Sequence, residues 1–168
     1  QMGLAQDAAV PLFGMVTRLA AQKGTGLLRE ALPAALNEMQ LQLVVLGSGD
    51  HDDENFFRWL ARSYPGRVAV EIGFSEELSH RIQAGSDFFL MPSLFEPCGL
   101  SQLYALRYGT LPVVNATGGL EDTIIQYNQG EGQGTGFKFY TPEANALRAT
   151  IGWAVSTWYD RPSHVTLM

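Results

Sequence analysis

The chain has 168 residues, 46% of them hydrophobic, which is enough to fill the core of one compact domain. Its formal net charge of -6 excludes the broad basic surface that binds nucleic acid or anionic lipid, and no apolar run is long enough to cross a membrane. The single cysteine, Cys98, excludes an internal disulfide and a cysteine-based metal site, and it favours a reducing compartment such as the cytoplasm.

Short apolar runs alternate with segments of helical periodicity along the chain, which is the pattern of β-α-β units around a buried parallel sheet. Most of these runs are continuous and rich in β-branched or aromatic residues, as expected for strands covered on both faces. Strands are predicted at residues 12–17, 41–46, 68–72, 88–91, 111–114 and 137–140. The predicted fold class is α/β, a Rossmann-like open parallel sheet of about six strands with helices on both faces.

Helices are predicted between and after these strands, at residues 26–39, 54–64, 76–84, 100–108, 120–126 and 143–159. Pro65–Gly66 is expected to end the second helix, and Ser75 is an N-cap candidate for the third. The segment Thr141–Glu143 places a proline in the first turn of the last helix. Pro33 is expected to kink or restart the first helix, because it lacks an amide hydrogen and clashes with the preceding turn.

Polar and glycine-rich segments follow five of the predicted strands. They are Arg18 with Lys23, then residues 47–50, 73–75, 92–100 and 115–120. The carboxyl ends of parallel strands lie along one edge of a sheet, and the ligand crevice of an open α/β sheet lies outside that edge. We therefore expect the five segments to share one binding site.

Two of these segments carry features that suit a diphosphate. Arg18 and Lys23 are cations that could neutralise it, although their spacing alone is more typical of solvated loop residues. The Gly118–Gly119 pair precedes a helix predicted to begin at Leu120, and free amides at a helix N-terminus bind phosphate. Such a glycine pair is about equally common as a simple helix-opening turn.

Glu96 lies in a loop that also contains Pro92 and Pro97, where a fixed carboxylate could accept hydrogen bonds from sugar hydroxyls. Its alternative role is to cap the neighbouring helix. The ring of Phe74 could face an adenine, although an aromatic residue at a strand end more often belongs to the core. We interpret Cys98 as a packing residue rather than a nucleophile, because no histidine is near it in sequence.

Other nucleotide and metal sites are not supported. Residues 47–49 have the sequence Gly-Ser-Gly, but Asp52 stands where a dinucleotide motif needs its third glycine, and the segment follows the second strand. There is no Gly-Lys-Ser or Gly-Lys-Thr, which excludes a P-loop. We expect neither a metal nor a cofactor, since arginine and lysine side chains can take the place of a divalent cation beside a diphosphate.

Taken together, the segments resemble the C-terminal domain of bacterial glycogen synthases and plant starch synthases, from about Pro11 to Tyr159. The resemblance is carried by Thr17-Arg18-Leu19, Gln22-Lys23-Gly24, Phe95-Glu96-Pro97-Cys98-Gly99-Leu100, Gln102-Leu103-Tyr104, Tyr108-Gly109-Thr110-Leu111-Pro112 and Thr117-Gly118-Gly119-Leu120. That family has two Rossmann-like domains in the GT-B architecture. The resemblance implies that residues 1–168 form one nucleotide-sugar-binding domain, without the N-terminal acceptor domain.

The resemblance implies transfer of glucose from ADP-glucose to the non-reducing end of an α-1,4-glucan, with retention of the anomeric configuration. ADP-glucose or ADP would bind this domain, whereas the glucan would bind through the missing N-terminal domain. The fragment alone is therefore expected to lack full activity, because closure of two domains around the donor excludes water. The expected location is the cytoplasm, or a plastid if the source is a plant or alga.

The resemblance also implies a role for individual residues. Arg18 and Lys23 would stabilise the departing diphosphate, and Glu96 would contact the donor glucose. The other residues implied to bind the donor are Gly73, Phe74, Cys98, Gly99, Leu100, Tyr104, Thr117, Gly118 and Gly119. Phe74 stands where the family usually has a tyrosine beside the adenine. Tyr104 replaces the second glutamate of many related glycosyltransferases, as it does in the synthase branch.

Two alternative functions remain open on the sequence. One is a sugar-nucleotide epimerase of the same architecture, which would bind a UDP-sugar and need no glucan. The other is a non-catalytic nucleotide-binding or glucan-binding module in a larger assembly. Glucan dependence would separate the first alternative from a synthase, and activity after addition of the N-terminal half would separate the second.

Overall fold

The structure is a computed structural model that describes residues 2–160. Its sheet consists of β1 (Leu12–Leu19), β2 (Gln42–Gly49), β3 (Val68–Ile72), β4 (Phe88–Met91), β5 (Leu111–Asn115) and β6 (Phe137–Phe139). The strands are ordered β3-β2-β1-β4-β5-β6, and each neighbouring pair is parallel. The predicted α/β class and the six-stranded parallel sheet are confirmed.

Helices connect the strands and follow the last one. They are α1 (Thr25–Glu38), α2 (His51–Ser63), α3 (Glu76–Gly85), α4 (Ser101–Arg107), α5 (Gly118–Thr123) and α6 (Ala144–Tyr159), with a short 3₁₀ turn at Ala21–Lys23. All six predicted helices are present, with ends that differ from the predicted ones by at most three residues. The largest shift at a helix start is in α2, where the Asp50 side chain accepts hydrogen bonds from the amides of Asp52 and Asp53 and begins the helix earlier.

Two of the boundary signals act as predicted. The Ser75 hydroxyl caps α3 by accepting a hydrogen bond from the Leu78 amide at 3.2 Å. Helix α2 ends at Ser63, just before Pro65–Gly66, and Gly66 takes the left-handed conformation with φ of 75°. Local chemistry alone is therefore sufficient to place these helix ends.

Pro33 does not restart the first helix, because α1 runs without a break from Thr25 to Glu38 with Pro33 inside it. The other half of the expectation, a kink at Pro33, stays a prediction. A proline in a helix interior costs about 3 kcal/mol. The buried face of the same helix, which includes Leu28, Leu32 and Leu36, packs into the main hydrophobic cluster and outweighs that cost.

The prediction that a proline occupies the first turn of the last helix is also wrong. Helix α6 begins at Ala144 with Glu143 as its N-cap, so Pro142 lies outside the helix. The Glu143 amide donates to the Thr141 carbonyl at 2.7 Å, which closes a tight turn around Pro142. The fixed φ of this proline is used in the turn that precedes the helix.

The sheet is covered on both faces, as the continuous apolar strands indicated. One face packs against α1, α2 and α6 in the main hydrophobic cluster, which contains Phe13, Phe88 and Phe137. The rings of Phe13 and Phe88 stack at 4.8 Å, and Phe137 meets Phe88 edge-on at 5.8 Å. The other face holds smaller clusters that include Ile82 of α3 and Leu120 of α5. These layers hold the carboxyl ends of the strands in fixed positions.

Candidate functional site

A cavity of about 70 Å³ lies between the carboxyl ends of β1 and β4. These two strands are neighbours in the sheet although β2 and β3 separate them in sequence, so the chain reverses its direction of winding here. In open parallel sheets this reversal point is where ligands bind. Its lining includes Thr17, Lys23, Pro92, Ser93, Glu96, Gly99 and Leu100.

An ion pair between Lys23 and Glu96 forms the polar part of this cavity. The Lys23 Nζ lies 2.5 Å from Glu96 Oε2, and the Ser93 hydroxyl donates to the same oxygen at 3.2 Å. Glu96 is only 9% exposed, so its charge needs these partners. The carboxylate contacts a cation and a hydroxyl rather than a helix amide, which favours a role at the cavity over the alternative of a helix cap.

The turn that carries Lys23 is fixed to the loop after β4. The Leu94 amide donates to the Gln22 carbonyl at 2.9 Å, and the Gln22 side chain donates to the Phe95 carbonyl at 3.2 Å. Gly24, with φ of 78°, leaves no room for a β-carbon because the Pro92 carbonyl occupies that space. Lys23 therefore meets Glu96 through a close backbone approach that requires glycine.

The start of α5 is fixed to the same loop by its glycines. The Gly119 amide donates to the Glu96 carbonyl at 2.9 Å, and a β-carbon on Gly119 would collide with the Cys98 backbone. Helix α5 begins at Gly118, not at Leu120 as predicted, and one of the amides expected to be free is engaged within the protein. The left-handed φ of 46° at Gly118 permits this contact.

A second cavity, of about 320 Å³, adjoins the first at the carboxyl ends of β1, β2 and β3. Both cavities share Val16 and Thr17 in their linings. The second one is lined in addition by Arg18, Gly73 and Phe74. Phe74 is 89% exposed, which is inconsistent with the alternative that it belongs to the core. Together the two cavities form a continuous polar and aromatic crevice along one edge of the sheet.

The structure divides the predicted site residues into two groups. The first lines the crevice and consists of Arg18, Lys23, Gly73, Phe74, Glu96, Gly99 and Leu100. The second lines neither cavity and consists of Cys98, Tyr104, Thr117, Gly118 and Gly119. Within the second group, Cys98 lies in the loop after β4 and Tyr104 in α4, and both are exposed. The interpretation of Cys98 as a packing residue is therefore wrong. The binding roles of both groups remain predictions.

Three polar residues support the crevice although the sequence did not single them out. Ser93 binds Glu96, and the Asn115 side chain donates to the Ser93 carbonyl at 3.0 Å. Gln102 is completely buried beneath Cys98 and Gly99. Ser93 and Asn115 belong to segments that follow strands, which is a usable signal. Gln102 belongs to the Gln102-Leu103-Tyr104 motif of the resemblance, but its position within a predicted helix indicated no role at the site.

No three histidine, cysteine, aspartate or glutamate side chains of residues 2–160 are grouped so that they could hold a metal ion. Among the helices of the same residues, none has both the length and the apolar character needed to cross a membrane.

Residues 4–163 match the family described as Glycosyl transferases group 1. The chain is 50% identical over 159 residues to glycogen synthase 1 of Geobacter metallireducens, and 49% identical over 160 residues to a glycogen synthase of Bacillus cereus (strain B4264). Each alignment covers 95% of this chain, but only 32% and 33% of the two relatives. The chain thus spans about a third of the length of the curated relatives that it matches.

Solved structures show the same relation in three dimensions. The catalytic domain of starch synthase IV from Arabidopsis thaliana, bound to ADP and acarbose, superposes with a TM-score of 0.89 at 32% identity, over 99% of this chain and 35% of that one. Sucrose-phosphate synthase from Thermosynechococcus elongatus gives a TM-score of 0.72 at 28% identity, over 96% and 39% of the two chains. The resemblance predicted from the sequence motifs is confirmed.

Proposed function

The chain belongs to the group 1 family of glycosyl transferases, and from this premise we propose that it is the donor-binding domain of a retaining glucosyltransferase of the glycogen and starch synthase type. The donor is ADP-glucose, and the acceptor is the non-reducing end of an α-1,4-glucan. The observation that carries this proposal is the Lys23–Glu96 ion pair, held in a cavity at the β1–β4 reversal point with Arg18 in the adjoining cavity.

The cations suit the charge that develops when the glycosidic bond to the diphosphate breaks. Negative charge accumulates on the departing diphosphate, and preorganised cations stabilise it most strongly where water is excluded. Lys23 is held in place through the fixed turn that precedes α1, so little reorganisation is needed when the charge forms. Arg18 supplies a planar guanidinium, which suits bidentate contact with phosphate oxygens.

The loop after β4 suits the donor sugar. The Glu96 carboxylate can accept hydrogen bonds from sugar hydroxyls through its second oxygen, because Lys23 and Ser93 both bind Oε2. Gly99 and Leu100 line the same cavity, and their backbone amides are donors that complement the oxygens of those hydroxyls. One carboxylate and two amides within one cavity give the polar pattern that carbohydrate recognition requires.

The exposed ring of Phe74 supplies a surface for the base. Gly73, with φ of 153°, lets the chain leave β3 and present Phe74 at the mouth of the second cavity beside Arg18. An aromatic face next to a phosphate-binding cation matches the order of groups in a nucleoside diphosphate. The preference for adenine is supported by the starch synthase IV structure, which contains ADP.

The acceptor site lies in a domain that precedes this one in a longer polypeptide. This part of the proposal is supported by the alignments, which cover about a third of each glycogen synthase. We place the enzyme in the cytoplasm, in keeping with the single cysteine of the chain.

Calorimetric titration of the chain with ADP and ADP-glucose tests the proposal. Lys23→Ala and Arg18→Ala should each weaken binding of both ligands by about tenfold or more, since each removes a charge-assisted contact with the diphosphate. Arg62→Ala is the control, because Arg62 is an exposed cation that lines neither cavity. Unchanged affinity in both site variants would remove the diphosphate site from the proposal.

A further inference from the structure

Gln102 lies at the start of α4 and is completely buried. Its Nε2 donates to the Cys98 carbonyl at 3.1 Å, to the Gly99 carbonyl at 3.0 Å and to the Thr123 hydroxyl oxygen at 3.2 Å. A single side-chain amide therefore contacts both the loop after β4 and helix α5. Neither Gln102 nor Thr123 lines the crevice.

The bonds continue from Gln102 into α5 and back to the loop. The Thr123 hydroxyl donates to the Gly119 carbonyl at 2.5 Å, and the Gly119 amide donates to the Glu96 carbonyl at 2.9 Å. The loop is thus held at Glu96 from one side and at Cys98 and Gly99 from the other. This closed network fixes the loop between two helices rather than leaving it as an independent segment.

Only the donor half of the Gln102 amide has partners. Its Oε1 is buried without a hydrogen-bond partner among the described residues. This oxygen lies 2.5 Å from the position that a β-carbon of Gly99 would occupy. A buried oxygen without a partner is unfavourable for stability. The side chain is therefore placed for its two N–H groups, and a carboxylate of the same shape would repel the carbonyls that they bind.

The two carbonyls that Gln102 binds share their peptide units with the amides of Gly99 and Leu100, two residues that line the crevice. In a planar trans peptide unit, the N–H points opposite to the C=O. The direction of the Gly99 amide therefore follows from that of the Cys98 carbonyl, and the direction of the Leu100 amide follows from that of the Gly99 carbonyl. Fixing those two carbonyls consequently fixes the direction of the two amides. The geometry of the donor amides is set before any ligand arrives.

We propose that Gln102 is a positioning residue for the donor sugar, acting through the amides of Gly99 and Leu100. This inference rests on the proposed function. It predicts different effects at the two ends of the ligand. Loss of the Gln102 amide disturbs the sugar side of the crevice, while Arg18 and Lys23 on the diphosphate side keep their positions. Binding of a sugar nucleotide then weakens more than binding of the nucleotide alone.

Comparing ADP-glucose with ADP on the full chain tests the inference. Gln102→Glu keeps the shape and loses the donor groups, and Gln102→Met keeps the length and loses polarity. Each should weaken ADP-glucose binding by about tenfold, while ADP binding changes by no more than about twofold. Loss of both affinities by the same factor would indicate a merely structural role and would overturn the inference.

Thr123→Val keeps the test decisive if the Gln102 variants do not fold. This near-isosteric change removes only the hydroxyl that joins Gln102 to Gly119, and it should weaken ADP-glucose binding by about threefold without weakening ADP binding. An equal effect on both ligands would overturn the inference. Failure of the unsubstituted chain to bind either ligand would overturn the proposed function itself, and the inference with it, whereas normal binding with unchanged discrimination in all variants would overturn the inference alone.

Discussion

At the scale of single residues, the energetic cost of losing a charged partner at the site depends on how deeply the charge is buried. Glu96 is nearly buried, and its carboxylate contacts Lys23 and Ser93. By contrast, Glu38 and Arg148 form an ion pair in which half of the Glu38 side chain and about a third of the Arg148 side chain stay exposed. Water replaces a lost partner at the surface but does so poorly in the cavity.

This contrast makes a prediction about Glu96→Gln. The substitution should lower the free energy of unfolding by roughly 1–3 kcal/mol, because it leaves the partly buried Lys23 ammonium beside a neutral amide. The isosteric control Glu38→Gln should cost less than about 1 kcal/mol. Chemical denaturation of both variants measures the difference. Equal losses would show that burial of the cavity pair adds nothing.

At the scale of elements, α5 owes its position to the absence of a side chain. Gly119 sits against the Cys98 backbone, so a methyl group there would push the helix away from the loop after β4. Gly26, within α1, has no atom within 4 Å of the position of a β-carbon. Substitution by alanine therefore adds a methyl group to a crowded position at Gly119 and to an open position at Gly26.

Alanine substitution at the two glycines should give effects of opposite sign. Gly119→Ala should destabilise the chain by about 1–3 kcal/mol through steric overlap with the loop after β4. Gly26→Ala should stabilise it by about 0.5–1 kcal/mol, because alanine loses less conformational entropy in a helix. Thermal unfolding of both variants provides the measurement. Stabilisation by Gly119→Ala would contradict the close approach described here.

The start of α2 gives a prediction about pH. The Gly49 amide donates to the Glu54 carboxylate at 3.1 Å, and this bond, with a smaller contribution from Arg58, lowers the pKa of Glu54 below its ordinary value of 4.5. A lowered pKa in the folded state means that this carboxylate contributes stability above the ordinary pKa. That contribution is lost as the pH falls through the lowered value.

Glu54→Gln should therefore be less stable than the unsubstituted chain near neutral pH, and the difference should shrink as the pH falls below the ordinary pKa of 4.5 and through the lowered pKa. Denaturant unfolding of both proteins between neutral and acidic pH measures this difference. A difference that stays constant over the whole range would show that the folded and unfolded pKa values of Glu54 are the same.

At the scale of the whole molecule, the proposed function requires a second domain to supply half of the active site. Joining the chain to the N-terminal part of a relative, such as glycogen synthase 1 of Geobacter metallireducens, should give glucan-dependent transfer from ADP-glucose. The chain alone should be slower by at least about 100-fold, because it lacks the groups that close over the donor. Radiolabel incorporation into glucan measures both rates.

Two other results of that experiment would contradict the proposal. Turnover of the sugar nucleotide without glucan would favour the epimerase alternative. No turnover in a folded, ADP-binding chimera would favour a non-catalytic module. Lys23→Ala in the chimera is the control, since it should abolish transfer while the two domains remain joined.

The sequence by itself determined the positions of all six strands and their helices, because strands buried on both faces are continuous apolar runs that are visible locally. It also determined the family, because the motifs occur in order along the chain. Only the tertiary structure decided that Lys23 meets Glu96 from 73 residues away, that Gly119 gives its amide to the loop, and that α1 continues through Pro33. These outcomes depend on distances set by strand order and packing between layers, and no local pattern encodes them.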